Sequence, residues 1–279
     1  MVDETYAESI QQWRNEYAQR LVSPDGWLAI TGLFWLEEGE NRMGSDPSNR
    51  VVLPPGSAPS FAGIFTLHED EIILQAEDGV EMATNDQPIS TTRIVITDYG
   101  SSGWILLNDL KISVIQRGTH YGVRVYDQNH PALKKPVALD WYPVKEKYRI
   151  AARFVPLEQP YTLSIVNILG DIVEEPCSGF AEFTVEGKTC RLFALPIEDG
   201  DRLWFLFLDA TSRDTTYPGG RFLTSAGPQE GQVVLDFNKA HNPPCAYTAF
   251  ATCPLPPAVN RLLIPVKAGE LKFRKPIGD

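Results

Sequence analysis

Hydrophobic and polar positions follow a helical period only at the start of the chain. There, apolar residues recur at steps of three and four, which places them along one face of a helix. The residues of this stripe are Tyr6, Ile10, Trp13, Tyr17 and Leu21. Asp3 is the predicted N-cap, and the turn sequence SPDG at residues 23–26 predicts that the helix ends before it.

After that turn, short runs rich in β-branched and aromatic residues alternate with clusters of Gly, Pro, Asn and Asp. This spacing is typical of antiparallel sandwiches and barrels. The predicted strands of the first half are residues 61–67, 71–75, 93–97, 104–107, 111–116 and 122–126. Those of the second half are residues 148–155, 161–168, 180–185, 190–195, 203–208, 233–237 and 262–266, with a tight hairpin turn within residues 185–190. The pattern therefore predicts an all-β protein with an N-terminal helix.

Prolines and weak periodicity at residues 128–145 predict a linker or crossover between two β domains. The predicted order is a helix at residues 1–22, a β-sandwich at 23–127, the linker at 128–145, and a second antiparallel β domain, sandwich or barrel, at 146–279. Trp13, Trp27 and Trp35 are expected to fasten the helix to the first β domain. A functional site is expected in the second domain.

Composition narrows the class of protein. Of the 279 residues, 43% are hydrophobic and 22% are charged, which is typical of a soluble globular protein. No apolar run reaches the roughly 18 residues of a membrane span, and the acidic N-terminal stretch lacks the pattern of a secretory signal, so a cytoplasmic protein is expected. The four cysteines form no C-x-x-C pair, which favours free thiols.

Charge is spread unevenly along the chain. The net charge is −11, and residues 1–140 carry 20 acidic and 10 basic side chains. A surface with this excess of carboxylates repels phosphate backbones, so neither nucleic acid nor a membrane is an expected partner. No motif specifies a cofactor or an oligomeric state, and a small-molecule ligand remains the expected partner.

One stretch of the first half follows the order of a known family. Gly44, the pair Ser48–Asn49, the apolar residues 51–53 and the turn and strand at residues 85–89 occur in the order and spacing of a forkhead-associated (FHA) domain, which residues 43–89 resemble. The resemblance implies a β-sandwich. Ser45 stands where that family has the arginine of its turn, and residues 57–63 (SAPSFAG) replace its Ser-Arg-x-His loop. Without that arginine a phosphate has no bidentate partner, so phosphothreonine recognition is not expected.

A second resemblance extends further along the chain. Four stretches carry it: TGLFWLEEGENRMGSDPSN at residues 31–49, TYPGGRFL at 216–223, DFNKAHNPPCAYTAFATCPLPPAVNRL at 236–262, and AGE at 268–270. Together they resemble the prokaryotic domain-of-unknown-function family 1684 (DUF1684). The resemblance implies a family label and no established activity or catalytic residues.

The first candidate group of polar residues surrounds two glycines. Asp209 is expected to end a strand, and Tyr217, Gly219, Gly220 and Arg221 follow. The glycines permit a close backbone approach, and Arg221 could hold a carboxylate or phosphate by two hydrogen bonds. The structural alternative is a hairpin loop in which Arg221 forms a salt bridge with Asp209 or Asp214.

The second candidate group lies in the proline-rich stretch of residues 236–257. Asp236 and Asn238 are expected on one face of a strand, and Asn242, Pro243 and Pro244 predict a stiff, extended turn. Three chemical hypotheses compete here. Asp236 or His241 acts as a general base, with Arg221 and Asn238 holding the substrate; or Cys245 and His241 form a thiol dyad oriented by Asp236; or His241, Cys245 and Cys253 bind a metal, although their spacing fits no familiar zinc motif.

Against these hypotheses stands a structural interpretation, in which the prolines build a rigid crossing and the cysteines fill the core. The leading functional hypothesis is a small-molecule enzyme, a hydrolase acting on an anionic or carbonyl substrate. Its catalytic candidates are Asp236, His241 and Arg221, its ligand-binding candidates are Asp209, Tyr217, Gly219, Gly220, Asn238, Asn242 and Cys245, and no metal ligand is assigned. The alternative is a non-catalytic ligand- or protein-binding module without phosphothreonine recognition.

Overall fold

A computed structural model describes residues 3–274, except residues 85–86, 98–99, 102 and 198–200. Within it the chain forms two compact units. The first unit is Arg20–Val137, and the second combines Met1–Gln19 with Ala138–Asp279. One α-helix, α1, spans Glu4–Leu21, and almost all other regular structure is β, so the predicted class of an all-β protein with an N-terminal helix is confirmed. The described part of the chain contains no helix that is long and apolar enough to cross a bilayer.

The strands of the first unit build two larger sheets. They are β1 (Ile30–Trp35), β2 (Gly39–Gly44), β3 (Val51–Val52), β4 (Gly63–His68), β5 (Glu71–Ala76), β6 (Met82–Thr84), β7 (Gln87–Ile89), β8 (Thr91–Ile94), β9 (Ile96–Thr97), β10 (Gly100–Ser101), β11 (Ile105–Leu107), β12 (Leu110–Arg117) and β13 (His120–Asp127). One sheet has the order β1-β13-β12-β11-β6-β7, the other β3-β2-β4-β5-β8, and β9 and β10 form a small ribbon. Both large sheets contribute buried aliphatic and aromatic side chains to one hydrophobic core, which includes the fully buried Phe65.

Side-chain hydrogen bonds hold the loops at residues 44–60, at the start of the stretch that resembles an FHA domain. The Asn49 Nδ2 group donates to the main-chain oxygens of Asp46 and Ser60, and Ser45 Oγ donates to the oxygen of Ala58. Gly44 has no alternative here, because a Cβ would lie 2.3 Å from the oxygen of Ser60. Asn85, which belongs to the same predicted resemblance, lies outside the described residues.

The second unit is built on one six-stranded antiparallel sheet. Its strands are β14 (Arg149–Val166), β15 (Ile172–Val185), β16 (Lys188–Pro196), β17 (Arg202–Phe207), β18 (Arg221–Ala226) and β19 (Gln232–Asp236), in the order β18-β17-β16-β15-β14-β19. The two edge strands, β18 and β19, contact each other, so the sheet curls nearly into a barrel. Alternation explains the packing: Cys190, Leu192 and Ala194 of β16 face inward, whereas Arg191 between the first two is exposed.

Short 3₁₀ turns supplement both units: Trp27–Ala29, Pro131–Lys134, Glu146–Tyr148, Phe237–Lys239, Pro244–Ala246 and Ala258–Asn260. The predicted linker at residues 128–145 contains no strand in this structure. The first unit includes its residues up to 137, and the second unit includes the remainder.

Several predicted strands differ from those observed. Residues 148–155 and 161–168 were expected as two strands, but β14 runs through both, with an irregular register between Pro156 and Tyr161. Residues 262–266 form no strand, because their backbone bonds go to single positions such as Leu208 and Ala210 rather than to a ladder. The turn predicted within residues 185–190 is present, with Glu186 and Gly187 both at positive φ between β15 and β16.

The expectation that α1 packs on the first β domain is wrong. Its side chains contact the second unit: Trp13 stacks edge-on against Trp141 at 5.8 Å, and Arg14 lies over the same ring at 4.7 Å. Tyr17 donates from its hydroxyl to the main-chain oxygen of Asn242. The apolar stripe alone could not distinguish the two β units, because its partners are more than a hundred residues distant in sequence.

These contacts predict that Trp13→Ala weakens the second unit selectively. Trp13 is half-buried, so we expect a loss of about 2 kcal/mol in unfolding free energy, below the ~3–5 kcal/mol of a fully buried aromatic. Hydrogen exchange should accelerate at the amides of Arg221–Ala226 and remain unchanged at those of Leu110–Arg117. Glu8→Ala, on an exposed face of the same helix, is the matched control. Equal acceleration in both units would contradict the assignment of α1 to the second.

Candidate functional site

A buried ion pair joins two of the predicted site residues. Arg221 begins β18 and is fully buried, and its Nη2 lies 3.2 Å from Oδ1 of Asp209. The same guanidinium donates to the main-chain oxygens of Val266 and Ala268, and its face lies 5.2 Å from the Phe207 ring. Burial lowers the pKa of Arg221, and the neighbouring Asp209 opposes that shift.

The carboxylate of Asp209 accepts several further hydrogen bonds. They come from the Thr211 amide and hydroxyl, from the Ser212 hydroxyl, and from the amide of Val266 at 2.6 Å. The structural alternative considered for Arg221, a salt bridge with Asp209, is therefore what the structure contains. The pair ties the strandless residues 266–268 to the sheet.

Asp236 and Asn238 meet, but not on a strand as expected. β19 ends at Asp236, whose carboxylate caps the 3₁₀ turn Phe237–Lys239 by accepting from the Asn238 amide at 3.2 Å. The same Oδ1 accepts from the Tyr6 hydroxyl at 2.8 Å and from Asn238 Nδ2 at 3.2 Å. Asn238 is fully buried and bonds both the amide and the oxygen of Lys145. These two residues thus hold α1 and the segment before β14 in place.

His241 lies among aromatic rings. Its ring centroid is 4.9 Å from that of Tyr17, 6.0 Å from Trp13 and 6.3 Å from Phe222. Nδ1 lies 3.2 Å from the main-chain oxygen of Lys239, and the His241 backbone pairs with that of Phe222 on β18. This backbone pairing sets the position of the proline turn that follows.

A buried carboxylate network lies next to that turn. Glu270 is fully buried; it accepts from the Asn242 amide at 2.8 Å and from the Tyr247 hydroxyl at 2.7 and 2.8 Å. The hydroxyls of Tyr247 and Tyr17 lie 3.0 Å apart, which extends the network to α1. Burial raises the pKa of Glu270 to about 7, against the bonds from Asn242 and Tyr247. Both Glu270 carboxylate oxygens are therefore bonded inside the core.

Two cysteines of the proline loop and one tyrosine form a different cluster, which we call the thiol cluster: the half-buried Tyr217 and Cys245 and the buried Cys253. The Tyr217 hydroxyl donates to the Cys245 main-chain oxygen at 3.2 Å and lies 3.6 Å from its Sγ, and the Cys245 amide donates to Cys253 Sγ at 3.2 Å. Gly219 allows this arrangement, because a Cβ there would lie 2.6 Å from the Tyr217 ring.

Electrostatics activate one thiol of this cluster. The pKa of Cys245 is lowered to about 7. The neighbouring Cys253 thiol has the largest effect, the Tyr217 hydroxyl adds to it, and together they outweigh burial, which raises the pKa. Burial raises the pKa of Tyr217, so its hydroxyl remains a donor. By contrast, burial raises the pKa of Cys177 and of Cys190, which lie on β15 and β16. A half-exposed thiol that ionises near neutral pH is a competent nucleophile.

Gly220 completes the loop's approach to the proline segment. Its φ is +90°, and a Cβ would lie 2.5 Å from Pro256 Cγ and 2.7 Å from the Phe207 oxygen. A glycine is needed at this position both for the conformation and for the space. The glycine pair therefore serves close packing of two backbone segments.

The metal hypothesis finds no geometric support among the residues that the structure describes, where no group of three His, Cys, Asp or Glu side chains could hold an ion. A groove of about 850 Å³ lies elsewhere on the second unit, lined by β14, β15 and β19 and bordered by the Arg153–Glu182 ion pair. It includes none of the site residues predicted from the sequence.

The comparisons with known proteins bear mainly on this unit. Residues 137–271 match the family model DUF1684, protein of unknown function. This confirms the predicted resemblance over the second half of the chain, while the predicted stretch at residues 31–49 lies outside the match. The thiol cluster, the Asp209–Arg221 pair and Glu270 all lie inside the DUF1684 segment. No curated protein matches the chain.

Solved structures similar to the chain cover only parts of it. An uncharacterized protein from Haloarcula marismortui is 28% identical, with 50% of this chain and 78% of that one covered and a TM-score of 0.41. The FhaA FHA domain in complex with an intracellular domain is 14% identical, covering 33% and 96%, with a TM-score of 0.24. An FHA domain studied for phosphothreonine-dependent interactions is 15% identical, covering 34% and 92%, with a TM-score of 0.24.

Sequence reasoning overlooked Tyr6, Tyr17 and Tyr247 as polar partners. All three are aromatic, and their apolar character drew attention away from the hydroxyls that bond Asp236, Asn242 and Glu270. A usable signal was the helical position of two of them: Tyr6 and Tyr17 lie on the same stripe as Ile10 and Trp13, on which a buried hydroxyl needs a partner.

The ion pair predicts that Arg221→Met destabilises the second unit by about 3–5 kcal/mol, because it leaves the Asp209 carboxylate buried without its counter-charge. The double variant Asp209→Asn/Arg221→Met should regain part of that loss in a denaturant titration, since neither charge then remains. Arg191→Met, which removes an exposed partner of Glu182, is the control and should cost less than about 1 kcal/mol. An Arg221→Met protein of unchanged stability would refute the structural role.

The raised pKa of Glu270 predicts a pH-dependent stability of known sign. The folded state retains this proton up to about pH 7, whereas the unfolded chain loses it near the ordinary value of 4.5. Stability is therefore highest below pH 4.5 for this group, and it falls as the pH rises to about 7, by up to about 1.4 kcal/mol per unit.

The comparison of Glu270→Gln with the wild type tests this directly. Unfolding free energies measured between pH 5 and pH 8 should fall less steeply in the variant. The slope is the decisive quantity, because the substitution can also change the absolute stability. Identical slopes in both proteins would mean that Glu270 does not bind a proton in this range.

Proposed function

We propose that the second unit catalyses acyl chemistry on a small carbonyl compound, with the Cys245 thiolate as its nucleophile. The observation that carries the proposal is the position of the partly exposed Cys245 sulfur, 3.6 Å from the Tyr217 hydroxyl and beside Cys253, whose Sγ accepts the Cys245 amide hydrogen at 3.2 Å. The other cysteines of the unit, Cys177 and Cys190, lack this environment and serve as fillers of the sheet core.

The chemistry follows from the thiolate. Cys245 Sγ adds to the carbonyl carbon, the C–S bond forms, and the carbonyl π electrons move to oxygen. Collapse of that intermediate expels the leaving group, which takes a proton, and leaves an acyl thioester on Cys245. Water then attacks the thioester carbonyl, the C–S bond breaks, and the acid is released with the thiol restored. This is hydrolysis by covalent catalysis.

Tyr217 is the group best placed to assist. Its raised pKa keeps the hydroxyl protonated, so it can stabilise the thiolate in the resting state and donate to the oxyanion that forms when the sulfur adds to the carbonyl. Gly219 supports that role by letting the ring lie against the loop backbone.

The same geometry favours a neutral carbonyl substrate over an anion. Arg221, the cation expected to hold an anionic group, is fully buried, and both of its Nη atoms are bonded to protein oxygens. The net charge of −11 also disfavours anions in solution. Four free thiols are in keeping with a reducing compartment, so we place this activity in the cytoplasm.

The role of His241 differs in this proposal from the sequence hypothesis of a Cys–His dyad. The groups that lower the Cys245 pKa are Cys253 and Tyr217, and the His241 ring packs on Tyr17. His241 therefore contributes to the positioning of the proline loop through its backbone pairing with Phe222.

The proposal predicts that Cys245→Ala lowers kcat/KM by roughly 10³-fold for any substrate found in a panel of small aryl esters and acyl thioesters. Tyr217→Phe should retain turnover but shift the rising limb of the pH–rate profile upward, because the thiolate loses a donor. Cys190→Ser is the control and should match the wild type. Turnover that survives Cys245→Ala would refute the proposal. Saturable ligand binding without any product would favour the non-catalytic module instead.

A further inference from the structure

The two cysteines of the thiol cluster, Cys245 and Cys253, are in direct contact. Cys253 Sγ lies 3.2 Å from the Cys245 amide nitrogen and accepts its hydrogen, so the second sulfur is in contact with the main chain of the first cysteine. The residues are eight positions apart, and the 3₁₀ turn Pro244–Ala246 starts the loop that brings them together. A sulfur in contact with the main chain of a second cysteine lies near the range of separations at which a disulfide closes.

Their exposures differ in a way that suits sequential oxidation. Cys245 is half-exposed, so a small solute can reach it, whereas Cys253 is buried, with 4% of its surface accessible. The Cys253 backbone is also held from the other side, because the amide of Ile168 donates to its oxygen at 3.1 Å and the amide of Leu255 donates to Val166. The reachable thiol is therefore paired with a second thiol that is fixed beside it.

We propose that Cys245 and Cys253 form a reversible disulfide when the protein meets hydrogen peroxide, which makes the thiol cluster a redox modification site. The proposal rests on the proposed function only in its consequence: a disulfide removes the nucleophile, so oxidation reversibly inactivates the enzyme. The bond formation itself requires peroxide and the two neighbouring cysteines, and it requires no substrate and no turnover.

The reaction balances in two steps. The Cys245 thiolate attacks a peroxide oxygen, the S–O bond forms and the O–O bond breaks; the released hydroxide takes up a proton as water and Cys245 becomes a sulfenic acid. The Cys253 sulfur then attacks the sulfenic sulfur, the S–S bond forms and the S–O bond breaks, and the departing hydroxide takes the Cys253 proton as a second water. The two thiols supply the two electrons that reduce the peroxide, and a dithiol reductant reverses the bond.

The remaining cysteines provide internal controls within the same chain. Cys177 Sγ contacts the Gly179 oxygen and Cys190 Sγ contacts the Lys188 oxygen, each inside a strand ladder. Both thiols are buried, which keeps them protonated and protects them from peroxide.

Peptide mapping of the whole chain tests the proposal without any substrate. Trypsin cleaves after Lys239 and Arg261, so Cys245 and Cys253 remain in one peptide, whereas Cys177 and Cys190 fall in two others. After equimolar peroxide and quenching with N-ethylmaleimide, the first peptide should be lighter by two hydrogen atoms and carry no adduct. After denaturation, the peptides of Cys177 and Cys190 should be fully alkylated. Their thiols should oxidise at least about tenfold more slowly than Cys245.

Two variants separate the steps. Cys253→Ser should stop at a sulfenic acid on Cys245 that dimedone traps, and Cys245→Ser should leave Cys253 alkylated by N-ethylmaleimide after denaturation. Disulfide formation between molecules, direct over-oxidation of Cys245 in the wild type, absence of oxidation, or equal oxidation of Cys190 would each overturn the proposal. A disulfide in a protein without turnover would refute only the proposed function, and turnover dependent on Cys245 without a disulfide would refute only this inference.

Discussion

The second unit depends on a charge pair that water does not reach. Bringing Arg221 and Asp209 out of solvent costs several kcal/mol for each ion, and that cost is offset only because nearly every polar atom of the pair finds a partner. Those partners are the backbone groups of Val266 and Ala268, on a segment that has no sheet ladder of its own. The ion pair therefore replaces strand pairing as the device that holds this segment against β18.

Around this pair the polar residues of the unit divide into two classes. Asp236, Asn238 and Glu270 bond neighbouring backbone groups or tyrosine hydroxyls, and Asn242 Nδ2 donates to the Leu271 oxygen. These contacts hold irregular segments in place. The thiol cluster differs, because Tyr217 and Cys245 are partly exposed and the contacts of the cluster change the reactivity of one sulfur. Burial, more than residue type, separates structural from chemical roles in this proline-rich stretch.

Local features were predictable from the sequence, and long-range partners were not. The helix, its Asp3 cap and the turn at Glu186–Gly187 depend on short-range periodicity and on positive φ, both of which leave a pattern in the residues. The hydrogen bond between Tyr6 and Asp236 joins positions 230 residues apart, and no local pattern in the sequence indicates a contact over that separation. The sequence left two environments open for Arg221 for a similar reason: a Gly-Gly-Arg turn is compatible with an anion site or with a buried salt bridge, and only the position of residues 266–268 shows the salt bridge.

The placement of α1 has a consequence for how the chain is made. The helix and the sheet on which it packs belong to one compact unit, yet the whole of the other unit is synthesised between them. On the ribosome, the helix emerges first and cannot bury Trp13 or Tyr17 until Trp141 and Asn242 have followed. The unit Arg20–Val137 can meanwhile complete its own core. The helix is therefore synthesised before that unit but buried after it. Until then it is a solvated amphipathic segment.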